Sequence, residues 1–555
     1  MDARDHWPAE VGLGLATVGS ALLVLPALGP GFETARVICL LLGVALCAWR
    51  SWERPAYSSW LPWLALFALI PGLLAALGLG LAPDLALWGS VERGQGMLID
   101  LALLLLLLLG GPLFCDRERQ RRWLRLVCAT ICVAALTACM QRWGWGPAQG
   151  WLAATERSAA TFGNPTQAAN WWLLAWPALP LLWWKRRSPL DVGLVAAGVL
   201  LLPLALWFSG SRAALPALLI GVLLMAQGHR LRWPHWLAGA AAVLLLVAVM
   251  TGWRSDSTAV RVDLLRAATA TVVDPPVLQD SQGHADGLSG WRWLLGYGPD
   301  GIDEAMARHL PEGPAREARP DRVHQLWLDS YLSRGVLGLL AWIGVIAWLA
   351  WRWLDDEERT HWSGRLPYAA LAGWFLALQM SFPLTADKTL AVLWLGWLAL
   401  PRADRPADER GSLLGALAAS LLLPVTLLLL GRTPPAQMQQ AEANGRRLYL
   451  EALAEARPVT ALRTLADAER AFLRAGSVSP YRADLTLARM TVALTIAKRV
   501  QPARRALCGL DGAWAQINAD PIVAGQAAAA RDHWLLLKDC PATAAAMTEA
   551  AASVD

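Results

Sequence analysis

Apolar runs able to cross about 30 Å of hydrocarbon recur along most of this chain, at 11–28, 35–49, 60–81, 97–114, 126–140, 168–184, 192–208, 213–226, 237–251, 336–351, 366–382, 389–400 and 412–430. Lipid offers no water to exposed amides, so segments of this kind must be helices. The expected fold class is therefore all-α, a polytopic membrane bundle of about 12–13 transmembrane helices. Composition agrees: 56% of the 555 residues are hydrophobic and 17% charged, more apolar than a soluble chain can keep dissolved. The first run follows a short segment with one arginine, as a signal peptide would. No small-x-small cleavage site follows it, and it is read as a span.

Charge asymmetry gives the orientation. With the N-terminus inside, the even-numbered connections carry Arg50 and Arg54, then Arg117, Arg119, Arg121, Arg122 and Arg125, then Lys185, Arg186 and Arg187, then Arg230 and Arg232. All then fall on the cytoplasmic side, as do 351–365 and 401–410, which satisfies the positive-inside rule. The loop 252–335 and the tail 431–555 are placed outside. The expected division is a membrane domain, 1–430, and an outer C-terminal helical domain, 431–555. Net charge is +5, but the basic residues cluster between apolar runs and not on one face, so nucleic acid is not an expected partner. The thirty-two tryptophans suit helix ends anchored at headgroup level.

The tail is rich in Ala, Leu and Arg, and its helical periodicity breaks at Arg457-Pro458, Val478-Ser479-Pro480, Gln501-Pro502 and Asp520-Pro521. Consecutive short helices follow, either stacked pairs of the tetratricopeptide type or an irregular helical cap. Cys508 and Cys540 stand together in this polar region and would be free to pair outside the cytoplasm. The other six cysteines lie in or beside apolar runs without metal-ligand spacing.

No Walker loop, dinucleotide fingerprint, zinc cluster or hydrolase elbow occurs where its mechanism needs it, so no metal and no cofactor is expected. What remains is a set of ionisable and capping residues at the outer ends of spans, where charge is costly without a partner or a cavity. Ser209-Gly210-Ser211-Arg212 forms a tight outer turn, and Arg212 can present its planar fork to phosphate oxygens. Its bland alternative is an arginine snorkelling to headgroups. In the outer loop, Arg261 and Arg266 lie five apart and point to different sides of a helix, so only one of them faces a site. Gly296-Tyr297-Gly298 is a turn that permits close backbone approach. His324, just ahead of a span, can take a hydroxyl proton as a neutral base, or serve as an ordinary hydrogen-bonding residue. Asn164, before Pro165, has N-cap chemistry and turns free N–H groups outward, which suits an anion or simply starts a helix. Arg93, in Glu92-Arg93-Gly94-Gln95-Gly96, is a weaker candidate. These residues come from separate outer segments and reach one membrane face, as a diphosphate on a lipid carrier would require.

The stretch from about 88 to 400 resembles the O-antigen ligase and polymerase superfamily of bacterial envelope glycosyltransferases. The resemblance rests on Thr161-Phe162-Gly163-Asn164-Pro165, on Ser209-Gly210-Ser211-Arg212-Ala213, on the Arg261 segment followed by Gly296-Tyr297-Gly298, and on His324-Gln325-Leu326-Trp327-Leu328 ahead of Gly335-Val336-Leu337-Gly338. It implies an inner-membrane, metal-independent transferase that moves a glycan from undecaprenyl diphosphate at the periplasmic face. Arg212 and Arg261 would hold the diphosphate and His324 would activate the acceptor. The family commonly has Asn where Gln325 stands, and 275–293 reads as an insertion. The acceptor would be a lipid A core for a ligase, a second glycan for a polymerase, or a protein for an O-oligosaccharyltransferase. A protein partner at the C-terminal domain fits the additional tail.

Two other classes make different demands. A transporter needs ionisable residues at mid-span and broken inverted repeats. A non-catalytic assembly scaffold would leave the arginines and His324 dispensable.

Overall fold

A computed structural model describes residues 7–24, 33–49, 60–90, 93, 95–145, 157–185, 188–211, 214, 216–219, 221, 255–317, 321–355, 361–399 and 433–537. Arg212 and Cys540 lie outside the described residues, as do the apolar runs 237–251 and 412–430 and most of 213–226. The helices are α1 (Trp7–Gly14, continued by Leu15–Gly19 and Ser20–Leu22), α2 (Glu33–Trp49), α3 (Leu61–Leu74, continued by Ala75–Leu79), α4 (Pro83–Trp88), α5 (Met97–Gly110), α6 (Arg117–Arg142), α7 (Pro165–Ala175), α8 (Ala178–Trp184) and α9 (Pro189–Ser209). They continue with α10 (Ser255–Val273), α11 (Leu326–Asp355), α12 (Trp362–Ala377), α13 (Thr385–Ala399), α14 (Pro434–Ala454), α15 (Pro458–Val478), α16 (Ala483–Arg499), α17 (Asp511–Ala519) and α18 (Pro521–Leu537). No strand occurs among the described residues. Four described helices, Leu61–Leu79, Arg117–Arg142, Pro189–Ser209 and Leu326–Asp355, are long and apolar enough to cross a membrane, and α5 is a shorter apolar helix.

Local chemistry sets the helix ends. Asp116 Oδ1 accepts from Glu118 N–H at 2.7 Å to cap α6. Asn164 Oδ1 accepts from Thr166 N–H at 2.8 Å to cap α7, with Pro165 at the first helical position. Gly210, in the left-handed region at φ 56°, stops α9.

The bundle core is aromatic as well as aliphatic. Trp123 meets Trp394 edge-on with ring centroids 5.0 Å apart, and Trp394 Nε1 donates to the Leu174 carbonyl at 2.8 Å. Trp123, Trp171, Trp172, Trp348 and Trp394 are fully buried, so these tryptophans pack the interior instead of anchoring helix ends. Others, such as Trp63 and Trp207, are well exposed, as anchors would be. Between α1 and α2, Gly12 and Gly43 let two backbones touch, since a Cβ on Gly12 would sit 2.5 Å from the Gly43 carbonyl oxygen.

One contact organises the loop-bearing end of the bundle. Tyr297 and Gly298 donate their N–H groups to the carbonyls of Leu332 and Ser333 at 2.8 and 3.0 Å. This seats the glycine turn along α11, just before its kink at Gly335 (φ 64°, ψ −163°). Beside it, the buried Arg292 pairs with Asp286 at 2.7 Å and donates to the carbonyls of Leu79 and Gly296. A second hydrophobic core lies above, built from Leu264, Ala267 and Ala268 of α10 with Tyr297, Ile302, Met306, Val323 and Leu332. In the tail, helix boundaries fall at each of the four proline breaks, and Cys508 is disulfide-bonded.

A Cβ on Gly335 would lie 2.1 Å from the Leu294 carbonyl oxygen, and one on Gly296 would lie 2.4 Å from Arg334 N; both glycines have positive φ. Gly335→Ala and Gly296→Ala should each destabilise the protein by on the order of 2–4 kcal/mol. Gly476→Ala, at a helical position with open space around it, should be neutral or stabilising. Thermal midpoints of the detergent-purified variants check this, and a wild-type midpoint for Gly335→Ala would contradict it.

Candidate functional site

His324 occupies the turn that leads into α11, and its backbone is left-handed at φ 60°, a conformation an ordinary side chain adopts only when its surroundings impose it. Those surroundings are explicit. Buried Arg322 donates Nη1 to Asp329 Oδ2 at 3.1 Å and lies 3.9 Å from Asp300, while the other oxygen of Asp329 accepts from Val323 N–H at 3.2 Å. The Asp300 carboxylate is itself tied down by Ser90 N–H at 2.9 Å. On the far side of the histidine, Gln325 Oε1 accepts from Leu328 N–H at 2.7 Å, and its amide donates to Gln379 at 3.1 Å. Gln325 thus performs the helix-capping work for which Asn is the commoner residue.

The ring of His324 meets Phe382 edge-on at 5.1 Å, and the Arg93 guanidinium lies over the same phenyl ring at 4.8 Å. Arg93 is held by a two-pronged pair with Asp321, at 2.5 and 3.0 Å. Burial would raise the Asp321 carboxyl, but the Arg93 hydrogen bond and the charges of Arg93 and Arg322 hold it below the usual carboxylate range. Asp300 goes the other way: its burial outweighs Arg322 and the Ser90 N–H, and its affinity for a proton is raised. His324 is pushed down to about 4, first by burial and then by the charge of Arg261, against the pull of Asp321 and Asp329. The imidazole is neutral at neutral pH.

The structure therefore brings Arg93 and Arg261 within electrostatic reach of His324. Arg266 is turned away: its side chain is 76% exposed and pairs with Asp263 at 3.6 Å. Asn164 and Ser211 belong to an adjoining patch. Arg157 donates Nε to the Ser209 carbonyl at 2.7 Å and reaches Thr166 Oγ1 at 3.4 Å, which joins the Ser209-Gly210 turn to the start of α7. Ser211 is buried, with its N–H on Ser209 Oγ at 3.2 Å. This patch connects to the histidine through Asn170, whose amide donates to Ser381 Oγ at 2.7 Å, one residue before Phe382. Gly296 and Gly298 lie against α11, so their close backbone approach is to protein.

Several site residues were not singled out from the sequence. Asp321 and Phe382 acquire their roles from Arg93, far away in the chain, whereas Arg322 and Asp329 pair with each other across seven positions. A further ionic group lies alongside, where Asp100 of α5 meets Arg334 at 2.5 Å and Lys388 of α13 at 3.9 Å. Among the described residues, no group of three or more His, Cys, Asp or Glu side chains could hold a metal.

Compared with models of protein families, with curated proteins and with solved structures, the chain matches none.

Nuclear magnetic resonance titration of histidine-labelled protein, assigned with His324→Gln, should give His324 a midpoint of about 4. Arg261→Gln, which removes a depressing charge, should raise it. A midpoint near the ordinary 6.5 would contradict the geometry.

Proposed function

We propose that this chain is a membrane glycosyltransferase of the O-antigen ligase type, which moves a glycan from undecaprenyl diphosphate to an acceptor at the periplasmic face of a bacterial inner membrane. The observation that carries the reading is a neutral histidine beside Arg93 and Arg261, a pairing that suits acyl-free group transfer from an anionic leaving group. Arg261, Arg93 and, from the sequence, Arg212 hold the donor diphosphate. The acceptor hydroxyl oxygen attacks the anomeric carbon as the bond from that carbon to the phosphate oxygen breaks. Its proton passes to His324, and the departing diphosphate keeps the electron pair. In-line attack inverts the anomeric centre.

The charges make this histidine a substrate-dependent base. With the donor absent, Arg261 and Arg93 both depress its proton affinity. A bound diphosphate cancels that field, so the base strengthens when there is a leaving group to displace. The same guanidinium groups stabilise the charge that develops on the leaving oxygen, an interaction stronger in the transition state than in the ground state. Metal independence follows from the family resemblance.

The orientation rests on arginine parity, with the N-terminus cytoplasmic and the helices from α14 onward periplasmic. Paired antiparallel helices such as α14 and α15 support a tetratricopeptide-like reading of that region and suit a protein partner. A polymerase and a protein O-oligosaccharyltransferase would use the same donor side, and the acceptor separates them.

Purified protein supplied with an undecaprenyl-diphosphate glycan should transfer it to lipid A core. His324→Ala and Arg261→Ala should each lower the rate on the order of 100-fold or more. Transfer by both variants at the wild-type rate, as a scaffold would allow, or transfer by none of the proteins to any acceptor, would defeat the reading.

A further inference from the structure

The C-terminal helices grip both segments that carry the site. Leu85 of α4, 5% exposed, is packed in the core formed by Met438, Ala452, Leu465, Phe472 and Leu485. Between there and Arg93, three backbone amides are tied. Gly89 N–H donates to the Leu85 carbonyl at 2.7 Å, Ser90 N–H to Asp300 Oδ2 at 2.9 Å and Arg93 N–H to the Ser90 carbonyl at 3.3 Å. A Cβ on Gly96 would stand 2.3 Å from Gly89 N, so the far end of this connection is pressed against the end of α4.

The second grip is on the long loop. Tyr481 and Ile522, like Val260, pack against the core that contains Leu264, three residues after Arg261, and Val323, next to His324. Gly512 meets the 282–283 turn so closely that a Cβ there would lie 2.0 Å from the Gln282 carbonyl oxygen. Arg482, paired with Asp484 and Glu442, also feels the charge of Glu304 across this boundary.

We infer that the C-terminal helical domain is a clamp that sets the spacing between Arg93 and the Arg261–His324 loop, with Leu85 and Gly512 as positioning residues for the donor diphosphate. This rests on the glycosyl-transfer reading of the site. The physical reason is leverage: each arginine is borne outside the long apolar helices, and the domain packs against both segments, which the Ser90–Asp300 and Arg93–Asp321 contacts also join directly. A guanidinium displaced by about 1 Å loses much of its value to a bound anion. The clamp therefore acts on the donor side, and the tail of the chain becomes part of the site.

The test uses full-length protein in lipid nanodiscs. Leu85→Ala should raise the KM for the undecaprenyl-diphosphate donor on the order of tenfold, leave the acceptor KM unchanged, and add little in an Arg93→Ala background. Leu85→Met should restore the donor KM. Gly512→Ala, which disturbs the other grip, should repeat the donor effect. A fall in kcat with an unmoved donor KM, or a loss that multiplies fully with that of Arg93→Ala, would make Leu85 an ordinary core residue and overturn the inference. Hydrogen exchange gives a readout that needs no transfer. In Leu85→Ala, amides 86–96 should lose protection while those of α5 keep theirs, and unchanged exchange at 86–96 overturns the clamp. If wild type transfers nothing, the functional reading fails, and exchange alone decides the clamp.

Discussion

A guanidinium enclosed within protein has to be answered by carboxylates, and Arg322 is where this chain meets that demand. It is 2% exposed and faces Asp329 and Asp300, whose remaining oxygens bind Val323 N–H and Ser90 N–H. Removing one carboxylate of such a set strands a buried charge, at a cost of about 3–5 kcal/mol. The arrangement thereby fixes three things together: the left-handed turn at His324, the start of α11, and the connection that bears Arg93. The net attraction matters less here than the geometry it enforces.

Other constraints on the same end of the bundle are steric and polar. Gly296 and Gly335 let the loop and α11 meet backbone to backbone, at a separation that side chains would prevent. Deeper in, Arg36 is fully buried, pairs with Glu33 and donates to the Thr161 carbonyl, and the other oxygen of Glu33 accepts from Thr385 N–H at 3.1 Å. Helices α2 and α13 and the turn that precedes α7 are thus registered through one ion pair. The site stands on a rigid polar layer, in which a histidine can be held neutral among cations without collapsing onto a carboxylate.

How much of this was legible in the sequence depends on where each residue finds its partner. Asn164 caps α7 because Asn before Pro does so through its own neighbours, and the four prolines of the tail mark helix boundaries for the same local reason. The five-residue spacing of Arg261 and Arg266 put them on different sides of α10, and Arg266 is the one turned to solvent. Asp321 and Phe382 were not legible: the Arg93–Asp321 pair spans 228 positions, and no periodicity reaches that far. Tryptophan was ambiguous for another reason. Indole suits both a headgroup layer and a tight core, and only packing separates Trp394 from Trp207. The glycines of 296–298 were expected to bring backbone close to a ligand, and the backbone they approach is that of α11.

The central proposal is that Arg93 and Arg261 hold beside His324 a lipid diphosphate whose charge offsets theirs and raises the basicity that burial has lowered. The most direct measurement is the titration midpoint of His324 in nanodiscs with and without a polyprenyl diphosphate. The account predicts a rise above about 4 when the diphosphate binds, with burial still holding the midpoint below the ordinary value, and no rise with the neutral polyprenol. A midpoint that ignores the diphosphate would contradict it.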